Sequence, residues 1–316
     1  MTTLTKTNGG PASDTDNVSF MHHVQYQHLI AGISGGVCST LVLHPLDLLK
    51  IRFEVNNGLN YDPNYRGIIN GITTIFKQEG IVGLYRGAVP STVGAGASWG
   101  LYFYFYSALK TLQQKGDVNS PLTPSQHLIA ATEAGAMTAV ITNPIWVCKT
   151  RLCLQSNKIS QVEHYNGMLD TLVKLYKAEG IRGWYRGFIP GLLGVSHGAV
   201  QFTIYEEMKN TYNKHNDTPI TTKLSTIQYL TFAAVSKLAA VSITYPYQVV
   251  RARLQNQFYS YNGIMDCLRK TWKNEGWKGF YKGLGTNLVR VVPATMLTFV
   301  VYENVSHFLI SSSGKR

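Results

Sequence analysis

The strings that decide the fold are Pro45-Leu46-Asp47-Leu48-Leu49-Lys50-Ile51-Arg52, Pro144-Ile145-Trp146-Val147-Cys148-Lys149-Thr150-Arg151 and Pro246-Tyr247-Gln248-Val249-Val250-Arg251-Ala252-Arg253. In each, a proline is followed by a base five positions on and another seven positions on, and the strings recur about 100 residues apart. Downstream of them come Tyr65-Arg66-Gly67, Tyr165-Asn166-Gly167 and Tyr261-Asn262-Gly263, and 14 residues after each tyrosine stands a Glu-Gly pair: Glu79-Gly80, Glu179-Gly180 and Glu275-Gly276. Two more glycines follow in each case, Gly83 and Gly87, Gly183 and Gly187, Gly279 and Gly283. The second of them is always preceded by an aromatic and a base, as in Tyr85-Arg86, Tyr185-Arg186 and Tyr281-Lys282. Chance does not keep such spacing three times.

Between these strings lie long stretches without Asp, Glu, Lys or Arg, among them 21–46, 87–109, 134–148, 187–205, 238–250 and 291–302. Merging neighbours separated only by Glu133 or Lys237, and adding the segment before Arg290, gives six segments, each able to supply the ~20 residues that cross a bilayer. Only 15% of the 316 residues are charged, well below the ~25% of an average soluble domain. A hydrophobic content of 45% excludes a disordered chain, and four cysteines are too few for a disulfide scaffold. Between Tyr-x-Gly and Glu-Gly the apolar residues fall at helical spacing, as in Ile69, Ile72 and Phe76, or Met265, Leu268 and Trp272, which reads as short interfacial helices. Each repeat is then span, surface helix, span: an all-α membrane protein of six transmembrane helices with threefold pseudosymmetry. The expected boundaries are a disordered tail over 1–20, then repeats over 21–114, 120–213 and 223–310.

Of the 29 basic residues, 19 lie in the connections 48–86, 149–186 and 251–282, so the positive-inside rule places those connections on the charge-controlled side. The net charge of +12 then reads as basic loops at anionic headgroups rather than as a nucleic-acid surface. The N-terminal tail lacks both an Arg-rich transit pattern and a signal-peptide core.

These residues resemble the mitochondrial carrier family, whose signature is Pro-x-Asp/Glu-x-x-Lys/Arg-x-Lys/Arg near the end of each odd helix, with Glu-Gly and aromatic-basic-Gly before each even one. The resemblance covers about Gln27 to Ile310. It implies a monomeric, multi-pass solute carrier of the mitochondrial inner membrane that works by alternating access, with no cofactor, metal or catalysis of its own and with Pro45, Pro144 and Pro246 as helix kinks. Strings such as Leu43-His44-Pro45, Ser98-Trp99-Gly100 and Val300-Val301-Tyr302-Glu303 are similar to those of carriers that move folate or FAD. That implies a flavin or folate cargo. The alternative is NAD or a pyrimidine nucleotide, whose carriers share a tryptophan in the second motif; a non-transporting receptor on the same fold is the remote one.

By the family's pairing, Asp47 meets Lys149, position 146 meets Arg251, and position 248 meets Lys50, closing the matrix side. Here Trp146 and Gln248 replace two acids, so one ion pair, one polar contact and one cation–π pair of Trp146 with Arg251 are expected. The cytoplasmic gate offers Tyr106-Ser107-x-x-Lys110, Tyr205-Glu206-x-x-Lys209 and Tyr302-Glu303-x-x-Ser306. Glu303 with Lys110 is its one full ion pair; Ser107 with Lys209 and Glu206 with Ser306 are hydrogen bonds. Weak gates on both sides suit a carrier that also runs without strict exchange.

Charges at membrane depth are costly and usually face a watery interior. Lys237 lies 11 residues before Gln248, close to three turns, and its equivalents in the other repeats are Gly36 and Gly135. It is a candidate for cargo binding, against snorkelling or a salt bridge to Glu133. Arg290, near Pro293, donates either to a phosphate or carboxylate or to freed carbonyls. The substrate set is completed by Trp146 as a stacking surface or belt tryptophan, Trp99 as a stacking or packing residue, Arg251, and Leu193 with Gly194 from the family's contact zone on the fourth helix, His197 being weaker. Cardiolipin is expected at the aromatic-basic-Gly turns, where helix N-termini meet basic side chains. The run Gly94-Ala95-Gly96-Ala97-Ser98-Trp99-Gly100 follows no strand and is packing rather than a dinucleotide loop, and the four cysteines and nine histidines show no metal spacing.

Overall fold

The computed structural model of the protein describes residues 14–57, 65–114, 122–156, 164–216 and 225–313. All regular structure among them is helical. The helices are α1 (Asp14–Val55), α2 (Ile68–Leu84), α3 (Ala88–Gln113), α4 (Pro124–Leu154), α5 (Met168–Trp184), α6 (Phe188–Leu192), α7 (Ser196–His215), α8 (Thr226–Gln255), α9 (Ile264–Glu275) and α10 (Leu284–Ser313). Short 3₁₀ turns cover Leu193–Val195 and Gly276–Tyr281. The six expected spans fall on α1, α3, α4, α6 with α7, α8 and α10, and the three surface helices on α2, α5 and α9. By composition alone Ile30–Val55, Ile227–Gln255 and Ile264–Leu309 are long and apolar enough to cross a membrane, the last taking in α9. The other long helices dilute their apolar residues with glycine, serine, threonine and tyrosine.

Helix α1 already starts at Asp14, inside the expected 1–20 tail, because no glycine or proline interrupts residues 12–31; residues 1–13 lie outside those described. The fourth span is not one helix: the turn at Leu193–Val195 separates α6 from α7, where Gly191, Gly194 and Gly198 lower helix propensity. Helices α4 and α8 each begin with a capping box, Thr123 with Gln126 and Ser225 with Gln228.

The chain forms two compact units, residues 40–295 and, separately, residues 1–39 with 296–316. In the smaller unit α1 and α10 approach so closely that a Cβ at Gly35 would stand 2.7 Å from the Thr298 carbonyl oxygen. The larger unit carries the threefold pattern. The surface helices bury one face (Gly71 and Ile75, Thr171 and Leu175, Cys267 and Thr271) and expose the other (Ile69 and Phe76, Leu169 and Val173, Met265 and Trp272), as interfacial helices do. Each begins with the same cap: the side chains of Asn70, Asp170 and Asp266 accept the backbone N–H of Arg66, Asn166 and Asn262. That N–H and the ammonium of Lys174 hold the Asp170 carboxyl below its ordinary range.

Glu-Gly ends each surface helix because Gly80, Gly180 and Gly276 have φ of 70°, 64° and 63° with ψ near ±160–170°, a region open essentially to glycine alone. The following glycines, Gly87, Gly187 and Gly283, let the chain press onto the next repeat. A Cβ there would lie 3.1, 3.0 and 3.0 Å from the carbonyl oxygens of Lys149, Arg251 and Lys50 respectively. Repeat one thus leans on two, two on three, and three on one.

Candidate functional site: a cationic gate at the proline motifs

The second base of each proline string has a structural task that spacing alone did not assign. Arg52, Arg151 and Arg253 reach the glutamate of their own repeat, Glu79 at 2.7 Å, Glu179 at 2.6 Å and Glu275 at 2.6 Å. Each glutamate also meets the base of the aromatic-basic-Gly turn, Arg86 at 3.1 Å, Arg186 at 2.5 Å and Lys282 at 2.6 Å. Arg52 further donates to the Cys153 and Gln155 carbonyls, and Arg253 to that of Glu54, so the triads also cross between repeats. The return of a second base and a Glu-Gly pair in every repeat was the available signal, although 27, 28 and 22 residues separate them.

The residue before each proline makes a second threefold link. His44 Nε2 donates to the Arg86 carbonyl (2.9 Å), Asn143 Nδ2 to that of Trp184 (2.7 Å) and the Tyr245 hydroxyl to that of Lys282 (3.0 Å). Prolines Pro45, Pro144 and Pro246 lie inside continuous helices. Pro144 cannot donate to the Val140 carbonyl, which accepts the Tyr185 hydroxyl at 3.1 Å instead.

These struts and triads position the first base of each string and the residue three before it, Asp47, Trp146 or Gln248. Asp47 pairs with Lys149 at 2.5 Å, and the Lys50 ammonium donates to Gln248 Oε1 at 2.9 Å, both as expected. Arg290 joins them: its Nε lies 3.5 Å from Asp47, and Nη2 donates to Asn287 at 3.5 Å. The cation–π pair of Trp146 with Arg251 does not form. Lys149 takes the Trp146 ring, 5.2 Å from its centroid, whereas the Arg251 guanidinium lies over Gly191, where a Cβ would stand 3.2 Å from Cζ. Three residues separate Trp146 from Lys149, so the contact within α4 costs no interhelical reach. Trp146 is half-buried, with its six-membered ring 3.5 Å from where a Gly94 Cβ would stand. Gly94 and the neighbouring glycines were legible only as packing; Gly94 seats Trp146.

Lys237 is half-buried and donates to Thr295 at 3.4 Å; it makes no salt bridge with Glu133, which is exposed on α4. His197 on α7 contacts Thr244 at 3.0 Å. Gly194 lies against the Tyr247 phenol, Leu193 is exposed, and Trp99 is exposed and stacked on Phe103 at 5.7 Å.

Of the opposite gate, Ser107 and Lys209 make no hydrogen bond to each other among the described residues; Lys209 meets Glu206 of its own helix at 4.0 Å. Glu303 with Lys110 and Glu206 with Ser306 would each join residues of different units.

Besides the Arg–Glu–base triads, four cations at the proline motifs (Lys50, Lys149, Arg251, Arg290) stand against two carboxylates, Asp47 and Glu54, among the described residues, and Lys237 lies within electrostatic reach of Arg290. Arg251 has neither an ion pair nor a side-chain hydrogen bond among those residues. A surplus of cations in a partly desolvated site favours a multiply charged anion. A cavity of about 540 Å³ lies apart from this cluster, lined by Arg182, Tyr185, Arg186, Phe188, Leu254 and Ile264, where the turn entering α6 meets α9.

A family model described as mitochondrial carrier protein matches the chain three times, over residues 22–117, 120–216 and 222–313. Relatives similar along nearly their whole length include the chloroplastic folate transporter 1 of Arabidopsis thaliana, 41% identical over 90% of this chain and 96% of the relative. The chloroplastic nicotinamide adenine dinucleotide transporter 1 of the same plant is 38% identical over 89% of this chain and 91% of the relative. The mitochondrial FAD carrier protein of Saccharomyces cerevisiae is 33% identical over 90% of this chain and 97% of its own length. The three matched segments contain the three proline strings, Arg–Glu–base triads and glycine turns, and the chain therefore belongs to the mitochondrial carrier family, with its three-repeat, all-helical membrane fold.

Proposed function

We propose that this carrier moves FAD, (tetrahydro)folate or both between cytosol and matrix across the mitochondrial inner membrane, as a monomer, by alternately opening its two gates. The observation that carries an anionic cargo is Arg251, which makes no ion pair among the described residues, in a site where cations outnumber carboxylates. Both cargoes fit that charge, the diphosphate of FAD and the carboxylates of folate. Trp146, backed by Gly94 and Lys149, offers a π surface for an isoalloxazine or pterin ring, worth ~0.5–1.5 kcal/mol beyond area burial. The choice of flavin and folate rests on similarity to relatives named for those cargoes. NAD is the second reading, favoured by relatives named as NAD transporters, among them a mitochondrial one of Saccharomyces cerevisiae at 36% identity. Cardiolipin suits the cavity beside Arg182 and Arg186, where two guanidiniums and an apolar wall meet a phosphate and acyl chains.

The test is uptake of radiolabelled FAD, tetrahydrofolate and NAD into cardiolipin-containing liposomes carrying the purified protein, with Trp146→Ala, Lys237→Ala and Arg251→Gln beside the wild type. Saturable FAD or folate flux lost in the variants supports the reading. Flux of NAD alone overturns the cargo and leaves the family standing. Absence of any saturable flux overturns transport itself.

A further inference from the structure

Glu54 is a buried carboxylate that neither gate pattern uses. It lies four residues after Lys50 on α1, its side chain is 4% exposed, and its Oε1 stands 3.4 Å from the Lys50 ammonium, which is itself 12% exposed. Oε1 accepts no hydrogen bond among the described residues; the carboxylate is compensated by the Lys50 ammonium and, as a neutral partner, the Tyr245 hydroxyl. The other groups in direct contact with Lys50 are neutral, the amide of Gln248 and the Tyr245 ring, 5.9 Å away; Asp47, Arg290 and Lys149 act on it from farther off.

The three repeats make the pattern informative. Four residues after the gate base stand Glu54 after Lys50, Cys153 after Lys149 and Gln255 after Arg251. Lys149 keeps its acid on the neighbouring helix, Asp47, and has a cysteine at the fourth position. Lys50 faces a glutamine where its interhelical acid would stand, and it alone has an acid at the fourth position. Arg251 has neither.

We propose that Glu54 is a positioning residue of the gate: it supplies within α1 the negative charge that Gln248 does not supply from α8. An interhelical ion pair is made and broken as the gate works, whereas an i,i+4 pair travels with its helix. Lys50 therefore stays neutralised whether the α1–α8 contact is closed or open. That contact is reduced to one hydrogen bond, and Arg251, which feels Glu54 at a distance but makes no ion pair among the described residues, is left to meet an anion. Without Glu54, closing the gate would leave the buried ammonium only the more distant Asp47, which Lys149 already engages, and that is unfavourable. The inference rests on the carrier assignment and not on the choice of cargo.

The test moves the charge rather than removing it. Glu54→Gln, Gln248→Glu and the double variant are purified in full-length form, and each is assayed for uptake of FAD, tetrahydrofolate and NAD in liposomes and for thermal unfolding in detergent. Glu54→Gln is expected to lower uptake at least tenfold and to lower the unfolding temperature. The double variant, which restores one acid to Lys50 from α8, is expected to return uptake to within about threefold of wild type and to recover the unfolding temperature. A merely space-filling role for Glu54 would not be rescued from position 248. Wild-type behaviour of Glu54→Gln, or a double variant no better than Glu54→Gln, overturns the proposal. If Glu54→Gln does not fold, recovery of folded protein on adding Gln248→Glu supports it and failure to recover overturns it. A wild type that moves none of the three probes counts against the cargo reading, and the unfolding temperatures then decide the role of Glu54 alone.

Discussion

Three glutamates that look equivalent in the sequence, Glu79, Glu179 and Glu275, should differ in what their loss costs. Glu79 is 2% exposed and receives both Nη atoms of Arg52, itself 1% exposed, together with Arg86. Changing Glu79 to glutamine keeps the shape and removes the charge, leaving Arg52 buried beside a neutral amide. Removing one partner of a buried pair costs ~3–5 kcal/mol, because the surviving charge is uncompensated. For a chain of this size that lowers the unfolding temperature on the order of 10 °C. Glu179 is 21% exposed and its second partner, Arg186, 34%, so water already weakens these contacts, but Arg151, 3% exposed, stays buried beside the new amide; Glu179→Gln should cost ~2 kcal/mol, less than Glu79→Gln. Glu275, 7% exposed and held by both Nη atoms of Arg253, should fall near Glu79. The assay is thermal unfolding in detergent with a thiol-reactive fluorophore, which reports Cys148, Cys153 and Cys267 as they leave the interior. Equal shifts for Glu79→Gln and Glu179→Gln, or no shift for Glu79→Gln, would refute the argument that burial sets the ranking.

Gly80→Ala forces a side chain into a region of φ 70° and ψ −169°, and should cost ~1–3 kcal/mol by thermal unfolding, whereas Gly96→Ala, within α3 and facing open space, should be neutral or stabilising. Gly94→Val should reduce uptake by displacing Trp146, whose ring would contact the new Cβ, with far less effect from Gly100→Ala, which meets nothing. Tyr245→Phe removes only the hydroxyl that reaches the Lys282 carbonyl, and is expected to destabilise by ~1–2 kcal/mol in the same unfolding assay. Preloaded and empty liposomes should take up cargo at rates within about tenfold, since few ionic links close either gate; rates differing by orders of magnitude would require obligatory exchange.

Much of the fold was readable because a threefold repeat turns weak signals into strong ones. Pro-x-Asp-x-x-Lys puts acid and base on one helix face, and the family's pairing carried Asp47 to Lys149 and Gln248 to Lys50, as the structure has them. The charge-free stretches located the spans, and Glu-Gly located the ends of the surface helices. Trp146 shows where such reading stops. Its position in the motif places it at the gate, but whether it meets Arg251 or Lys149 depends on rotamers and on the room that Gly191 leaves for a guanidinium. The break between α6 and α7 escaped for a related reason: a glycine-rich stretch is compatible with either a helix or a turn until Tyr247 and Arg251 of α8 pack against it.

By itself the sequence determined the elements, their repetition and the charge types at the gate, because these follow from local periodicity and residue chemistry. Tertiary structure alone decided which second bases meet which glutamates, which gate cation is left without an acid, and how deeply each pair is buried. Those depend on helices brought together from residues as far apart as Asp47 and Arg290, where a shift of one helical turn would exchange every partner.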